Sequence, residues 1–93
     1  MKLRYQKRAL RQIDKALGYI AARSPQGAAH VEARLQAIAA LLQVQSFVGR
    51  KTSVAGVRRV YLTPYPYLID YFVGDDEIVI QRFRHTARKP VSD

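Results

Sequence analysis

Cysteine is absent from the 93-residue chain, and histidine occurs only twice, as His30 and His85. The chain can therefore form neither a disulfide nor a thiolate zinc site, and two histidines are too few for a convincing metal site. We expect no metal and no other cofactor. No apolar run approaches the roughly 20 residues that cross a bilayer, and the basic start, MKLRYQKRAL, lacks the apolar segment of a secretory signal. These absences predict a cytoplasmic protein without membrane contacts.

Acidic residues are also scarce, with 7 Asp and Glu against 16 Lys and Arg and a formal net charge of +9. Four of the acids lie in or beside one predicted turn, namely Asp70, Asp75, Asp76 and Glu77. Such an excess of positive charge indicates an anionic partner: nucleic acid, an acidic protein or a membrane surface. Arginines outnumber lysines, which favours directional recognition of phosphate or carboxylate.

The length predicts one domain, residues 1–93. A hydrophobic content of 48% is ample for a globular core. A chain of this size buries only about 60–65% of its unfolded surface, so its core is small.

Two helices are predicted in the first half of the chain. Apolar residues at helical spacing indicate an amphipathic helix over about residues 7–23; they are Leu10, Ile13, Leu17 and Ile20. Ser24 is suited to an N-cap and Pro25 to the first helical position, which predicts a second helix over about residues 25–44. The apolar face of this second helix comprises Ala28, Val31, Leu35, Ile38 and Leu42. Because the link is so short, the two helices form an antiparallel hairpin.

The second half predicts strands. Tyr67–Val73 and Ile78–Arg84 form a hairpin around the turn Gly74–Glu77. Residues 57–63 form the preceding strand, residues 43–56 are a connector, and residues 2–6 form a short edge strand. The predicted fold is α+β, with an N-terminal strand, the antiparallel helical hairpin and a three-stranded antiparallel meander. The helices cover one face of the sheet and leave the other free.

The last predicted strand begins apolar and ends basic, which favours a rigid positive site at one end of the sheet. The candidate target-binding residues are Arg58, Arg59, Arg82, Arg84, His85 and Arg88. The plainer alternative is that these side chains are solvated or pair with Asp70 and Glu77. Arg58 has a structural alternative, because it shares strand parity with the apolar residues Val60 and Leu62. For His85 the alternative is a hydrogen-bonded residue that closes the strand.

Taken in order, these features resemble the toxins of the RelE/ParE superfamily, and the resemblance runs from Leu3 to Pro90. The segments that carry it are the basic first strand, the helices joined at Ser24-Pro25, Gly49-Arg50, Gly56-Val57-Arg58, Pro66-Tyr67-Leu68-Ile69-x-Tyr71 and Arg82-x-x-His85-x-x-Arg88-x-Pro90. The chain departs from the pattern in the connector, where many relatives have a proline before the Gly-Arg pair.

The resemblance implies one of two activities. RelE-like toxins cut messenger RNA in the ribosome with a cluster of basic residues, and ParE-like toxins poison DNA gyrase without a catalytic cluster. The two strand lysines of the ribonuclease correspond to Arg59 and Tyr61 here, and the arginine after its last strand corresponds to Arg88. Its phosphate-holding arginine corresponds to Leu68, an apolar residue. We therefore expect a gyrase inhibitor with no catalytic residue. The alternative is an mRNA endonuclease, in which His85 is a possible base. A plain nucleic-acid-binding module is a third interpretation.

The resemblance also implies a ParD-like antitoxin as partner. The helices offer small outer positions against which a partner helix could lie closely, namely Ala22, Ala29, Ala33 and Ala40. An acidic segment that folds on binding would suit a toxin of this charge. The alternative is that these alanines are helix formers on a solvated face.

Overall fold

Residues 1–87 are described by the structure, a computed structural model. They form two helices and a five-stranded sheet, which confirms the α+β fold expected from the sequence. In chain order the elements are β1 (Lys2–Tyr5), α1 (Lys7–Ala21), α2 (Pro25–Val44), β2 (Arg50–Lys51), β3 (Val57–Tyr61), β4 (Tyr67–Val73) and β5 (Glu77–His85). The strand β2 was not predicted, because two adjacent cations carry no alternation of apolar and polar positions.

The helical hairpin turns where the sequence predicts. The amides of Arg23 and Ser24 both donate to the Ile20 carbonyl, at 3.0 and 2.7 Å, and α1 ends just before them. Ser24 Oγ accepts a hydrogen bond of 3.0 Å from the Gly27 N–H, and Pro25 takes the first position of α2. This side chain therefore satisfies one of the N–H groups that a helix start leaves without a partner.

Both helices pack on one face of the sheet, whose strand order is β1-β5-β4-β3-β2. Neighbours from β2 to β5 are antiparallel, whereas β1 lies parallel to β5. Buried side chains from helices and sheet form one core, which comprises Ala9, Ile13, Val31, Leu35, Ile38, Leu42, Leu62, Tyr67, Ile69, Tyr71, Ile78, Ile80 and Phe83. Among residues 1–87 no element covers the opposite face, which we call the open face.

A β-bulge interrupts the pairing of the two central strands. Asp70 on β4 is opposite Arg82 on β5, but the next residue of β4, Tyr71, is opposite Ile80. Gln81 is thus the extra residue, and the strand rotates its side chains by one position there.

The bulge decides which side chains of β5 reach the open face. Ile78 and Ile80 are fully buried in the core before it, and Phe83 takes the core side after it. Without the bulge, strict alternation would place Arg82 and Arg84 on the same side as Ile80, among the helices. The inserted residue instead sends both arginines to the open face.

Candidate functional site

Asp70 lies at the centre of the open face and organises the arginines around it. In the sheet register it is opposite Arg59 on β3 and Arg82 on β5. Its Oδ1 accepts a hydrogen bond from Arg59 Nε at 2.7 Å, and its Oδ2 is 3.4 Å from Arg59 Nη2 and 3.5 Å from Arg84 Nη2. One carboxylate therefore holds guanidinium groups from both neighbouring strands.

This cluster is largely removed from water. The Asp70 side chain is 7% exposed, and those of Arg59 and Arg84 are 25% and 14% exposed. A buried carboxylate is tolerated when it is paired and hydrogen-bonded, as here. Arg84 keeps one unused donor, since its buried Nε has no hydrogen-bond partner among the described residues. The pairing fixes the two guanidinium groups in place and leaves donor capacity for an anion.

A cleft of about 360 Å³ opens beside Asp70, and we call it the sheet-face cleft. Its charged lining comes from α1, β2, β3, β4 and β5 and consists of Arg8, Arg50, Lys51, Arg59, Arg82 and Asp70. Five cations thus stand against one anion, and Asp70 is already paired. Because guanidinium groups present a planar set of donors, such a cleft can bind a carboxylate- or phosphate-bearing surface.

The structure brings three of the predicted target-binding residues, Arg59, Arg82 and Arg84, together on the open face. Arg58 is not among them, because its neighbour Arg59 faces the other way along β3. Its Nη1 donates to the carbonyls of Phe47 at 3.1 Å and Gly49 at 2.8 Å, and its guanidinium carbon is 5.0 Å from the centre of the Phe47 ring. Arg58 thus ties the connector to the sheet.

His85 lies outside the sheet-face cleft that Arg59 and Arg82 line, and shares a second cleft with Arg84. It is opposite Tyr67 in the register, and the two rings meet edge to face with centroids 5.3 Å apart. Its Nδ1 accepts a hydrogen bond of 3.0 Å from the Ala87 N–H. The remaining predicted residue, Arg88, lies outside the described residues.

The expected pairing of cations with Asp70 and Glu77 occurs in part. Arg59 and Arg84 pair with Asp70, but Glu77 pairs with Arg4 of β1, at 3.1 Å. The parallel pairing of β1 with β5 sets Glu77 opposite Lys2, and Arg4 reaches the carboxylate from two residues further along β1.

Sequence reasoning missed three cations of the sheet-face cleft: Arg8, Arg50 and Lys51. Arg8 reaches the cleft because β1 lies beside β5 and delivers the start of α1 to it. Arg50 reaches it by pairing opposite Arg59. The only signal in the sequence was the charge of the Arg50-Lys51 pair within the connector.

The four alanines predicted to bind an antitoxin are all exposed on the outside of the helical hairpin. Ala22 is the C-cap of α1, and Ala29, Ala33 and Ala40 lie at helical spacing along α2. The three on α2 form a stripe of small residues along that helix.

Two further features bear on function. Neither helix in residues 1–87 has the length and apolarity needed to cross a membrane. Within the same residues, no group of three or more His, Asp or Glu side chains is placed to hold a metal ion.

Comparison with known proteins agrees with this architecture. Residues 3–90 match the family model described as the ParE toxin of the type II toxin–antitoxin system parDE. A protein of Sinorhizobium fredii (strain NBRC 101917 / NGR234) named "Putative toxin Y4kP" is 32% identical over 75 residues, which are 81% of this chain and 78% of that protein. A solved structure of the chromosomal ParDE system from P. aeruginosa superposes with a TM-score of 0.79 at 24% identity, over 91% of this chain and 95% of that one. The similarity in structure establishes the fold, and the match over residues 3–90 establishes that the chain belongs to the ParE toxin family of type II toxin–antitoxin systems.

Proposed function

We propose that this toxin arrests growth by binding DNA gyrase and blocking replication, and that it has no enzymatic activity of its own. The observation that carries the proposal is the open face itself. Asp70 holds Arg59 and Arg84, and Arg82 lies opposite it in the register, which gives a basic binding surface. The position expected to hold a phosphate in a ribonuclease is Leu68. That side chain is 6% exposed and lies opposite Arg84.

The open face lacks the arrangement of groups that RNA cleavage requires. The 2′-hydroxyl attack needs cations around a phosphate whose charge grows and groups that transfer protons at both oxygens. His85, the candidate base, contacts Tyr67 on the helix side of the sheet, whereas Arg84 beside it serves the open face. His85 does not line the sheet-face cleft that holds Arg59 and Arg82, so it is not placed to transfer protons among those cations, which supports binding rather than cleavage.

The alternative is a ribosome-dependent mRNA endonuclease of RelE type. One observation favours it: Tyr61, which is 42% exposed, lies on the open face and lines the sheet-face cleft together with Arg59. These are the two positions at which the resemblance places strand lysines. A phenol beside a guanidinium group could take part in proton transfer.

An antitoxin encoded beside the toxin is the proposed partner, and both proteins would act in the cytoplasm. A chain of net charge +9 offers an acidic partner a favourable surface. The exposed stripe of Ala29, Ala33 and Ala40 would admit a close-packed helix of that partner. Its apolar anchors would supply most of the affinity, and its acids would speed association.

The test combines purified toxin with purified gyrase and relaxed or supercoiled plasmid. Trapped cleavage complexes are expected, seen as linear DNA after the protein is digested. In parallel, ribosomes carrying a defined message are incubated with the toxin and the message is mapped for cuts. Codon-dependent cuts with no effect on gyrase would overturn the proposal in favour of the endonuclease. Steeply salt-dependent binding to DNA alone, with neither effect, would favour the nucleic-acid-binding module.

A further inference from the structure

The strand β5 continues well beyond the end of its neighbour β1. β1 pairs only with residues 77–80, and the Gln6 N–H then donates to the Ile80 carbonyl at 2.9 Å. From residue 81 to residue 85 no described strand lies on that side of β5, and α1 runs along it instead. An unpaired strand edge presents N–H and C=O groups that another chain could bind, unless side chains cover them.

Side chains of α1 cover the first part of this edge. Arg8 Nε donates to the Gln81 carbonyl at 3.3 Å, and Gln12 Oε1 accepts a hydrogen bond of 2.8 Å from the Phe83 N–H. The spacing of residues along the helix and the strand explains why every fourth residue of α1 reaches every second residue of β5. Four helical residues advance about 6 Å, close to the roughly 6.6 Å of two strand residues.

The next residue in this series is Ala16, which has no polar atom. It lines a cleft together with Phe83 and His85. The Thr86 N–H donates to the Pro66 carbonyl on the β4 side, so by alternation the backbone groups of His85 point toward α1, as those of Phe83 do. The Phe83 carbonyl and the His85 N–H are therefore left for a partner at the point where the helical cover stops.

A cleft of about 520 Å³, which we call the α1–β5 cleft, opens at this point. Its floor is aromatic, because the rings of Tyr67 and Phe83 stack with centroids 5.1 Å apart. Tyr19 of α1, 61% exposed, stands at its side. Lys15, Arg84 and His85 are its basic side chains, and none of the described lining residues is acidic.

We infer that the α1–β5 cleft binds an extended, acidic segment of the antitoxin, which adds backbone hydrogen bonds to the open edge of β5 and inserts an apolar side chain over Tyr67 and Phe83. This inference rests on the proposed antitoxin partner and gives its docking site. Three features indicate this occupant. An open strand edge pairs with an extended chain, and an aromatic floor accommodates an apolar side chain. A basic lining without acids favours carboxylates.

One residue of the cleft, Arg84, also belongs to the open-face cluster. Arg84 lines the α1–β5 cleft, yet its Nη2 is 3.5 Å from Asp70 Oδ2 in the open-face cluster. A carboxylate of the antitoxin in the cleft would compete with Asp70 for this guanidinium. Docking there would therefore disturb the arrangement of cations that we propose binds the target.

Two substitutions in the cleft test the inference. Ala16→Gln extends the series of Arg8 and Gln12 by one helical turn. The oxygen of the new side-chain amide would accept a hydrogen bond from the His85 N–H, as Gln12 does from Phe83. Lys15→Glu reverses a charge at the rim. Each should weaken binding of the purified neighbour-encoded antitoxin by about tenfold or more, the loss typical of a central interface contact. Growth arrest by the toxin alone should be unchanged.

Matched controls separate this cleft from the rest of the surface. Lys7→Glu makes the same charge change on α1 away from the cleft, and Ala55→Gln makes the same side-chain change at an exposed position of the connector. Both should leave the antitoxin affinity within about twofold, as expected for positions outside the contact. Hydrogen exchange supplies an independent readout, because the amide of His85 should gain protection in the toxin–antitoxin complex.

The outcomes are distinguishable from a failure of the proposed function. If the wild-type toxin binds no neighbour-encoded protein, the proposed partnership fails. If it binds, but both cleft variants bind as tightly and His85 gains no protection, the docking site is wrong while the partnership stands. Loss of gyrase binding by the cleft variants with intact antitoxin binding would assign the cleft to the target. A dimer of the toxin alone that the variants dissociate would assign it to a second copy.

Discussion

Arg59 Nε lies 2.7 Å from Asp70 Oδ1, and the two residues are direct cross-strand neighbours on β3 and β4. Arg84 approaches the same carboxylate from β5. The pair is central to the open face, because the one carboxylate holds guanidinium groups from both neighbouring strands.

Replacing Asp70 with Asn should destabilise the fold. The change removes the carboxylate charge that two partly buried guanidinium groups contact, which we expect to lower the free energy of unfolding by about 1–3 kcal/mol. Glu77→Gln is the matched control, because Glu77 pairs with Arg4 at a more exposed site, 58% and 36% exposed for Arg4 and Glu77. An exposed pair contributes at most about 1 kcal/mol. Urea denaturation of both variants is the measurement, and equal losses would contradict the central role of Asp70.

Replacing Arg82 with Ala should relieve growth arrest without unfolding the protein. Arg82 lines the sheet-face cleft, and no hydrogen bond from its side chain is seen among the described residues. We expect binding to gyrase to fall by about tenfold, as for an arginine at the centre of an interface. Arg11→Ala on the exposed side of α1 is the charge-matched control. Full toxicity of the Arg82 variant, with a normal circular dichroism spectrum, would place the target site elsewhere.

Replacing Arg58 with Met should affect stability and spare the target. Arg58 donates to two connector carbonyls on the side of the sheet opposite Arg59. Methionine keeps much of the side-chain length but leaves those carbonyls without this donor, so we expect a loss of about 1–3 kcal/mol in the free energy of unfolding. At a temperature where the variant is folded, its affinity for gyrase should equal that of the wild type. A variant of normal stability with weakened target binding would contradict this assignment.

Gly49 should tolerate no side chain. A Cβ there would lie 2.6 Å from Tyr71 Oη and 2.8 Å from the Arg59 carbonyl oxygen, and the Gly49 N–H itself donates to Tyr71 Oη at 2.9 Å. Gly49→Ala should displace that phenol and destabilise the fold by about 1–3 kcal/mol, as overpacking does. Gly18→Ala is the control, since nothing lies within 4 Å of a Cβ at that position. Thermal unfolding of the two variants should show a lower Tm for the first alone.

Tyr71 should make the fold sensitive to alkali. Burial raises the pKa of its phenol above the ordinary value of 10.0, while the Gly49 hydrogen bond and the charge of Arg58 oppose that rise. The folded state thus holds the proton more tightly, so stability is complete below pH 10 and falls as pH rises through the folded pKa. Tyr71→Phe should be less stable than the wild type at neutral pH, because the Ser46 carbonyl loses its 2.9 Å hydrogen bond. From pH 10 upward, however, its free energy of unfolding should fall less than that of the wild type. Denaturant titrations across that range test this, with Tyr61→Phe as control.

Local patterns were sufficient to predict most elements of the fold. The apolar repeat of α2 and its Ser24-Pro25 start gave its bounds, Pro25–Val44, because capping and periodicity act within a few residues. The β-branched and aromatic run Tyr67–Val73 was likewise predicted with its observed bounds. For the site, the charge of β5 pointed to Arg82 and Arg84, which do lie on the open face with Arg59.

The sequence by itself thus determined the helical hairpin, the strands of the hairpin and the concentration of cations at the end of β5. Tertiary structure decided which face those cations occupy, because a single inserted residue, Gln81, reverses the alternation that local pattern alone would extend. It also decided that β1 lies beside β5, which carries Arg8 into the sheet-face cleft and leaves the end of β5 open beside α1. The pairing of β1 with β5 joins strands far apart in the chain, and the register of β4 with β5 depends on which side chains the core buries. Such pairing is stabilised by contacts across the core, and no window of neighbouring residues contains them.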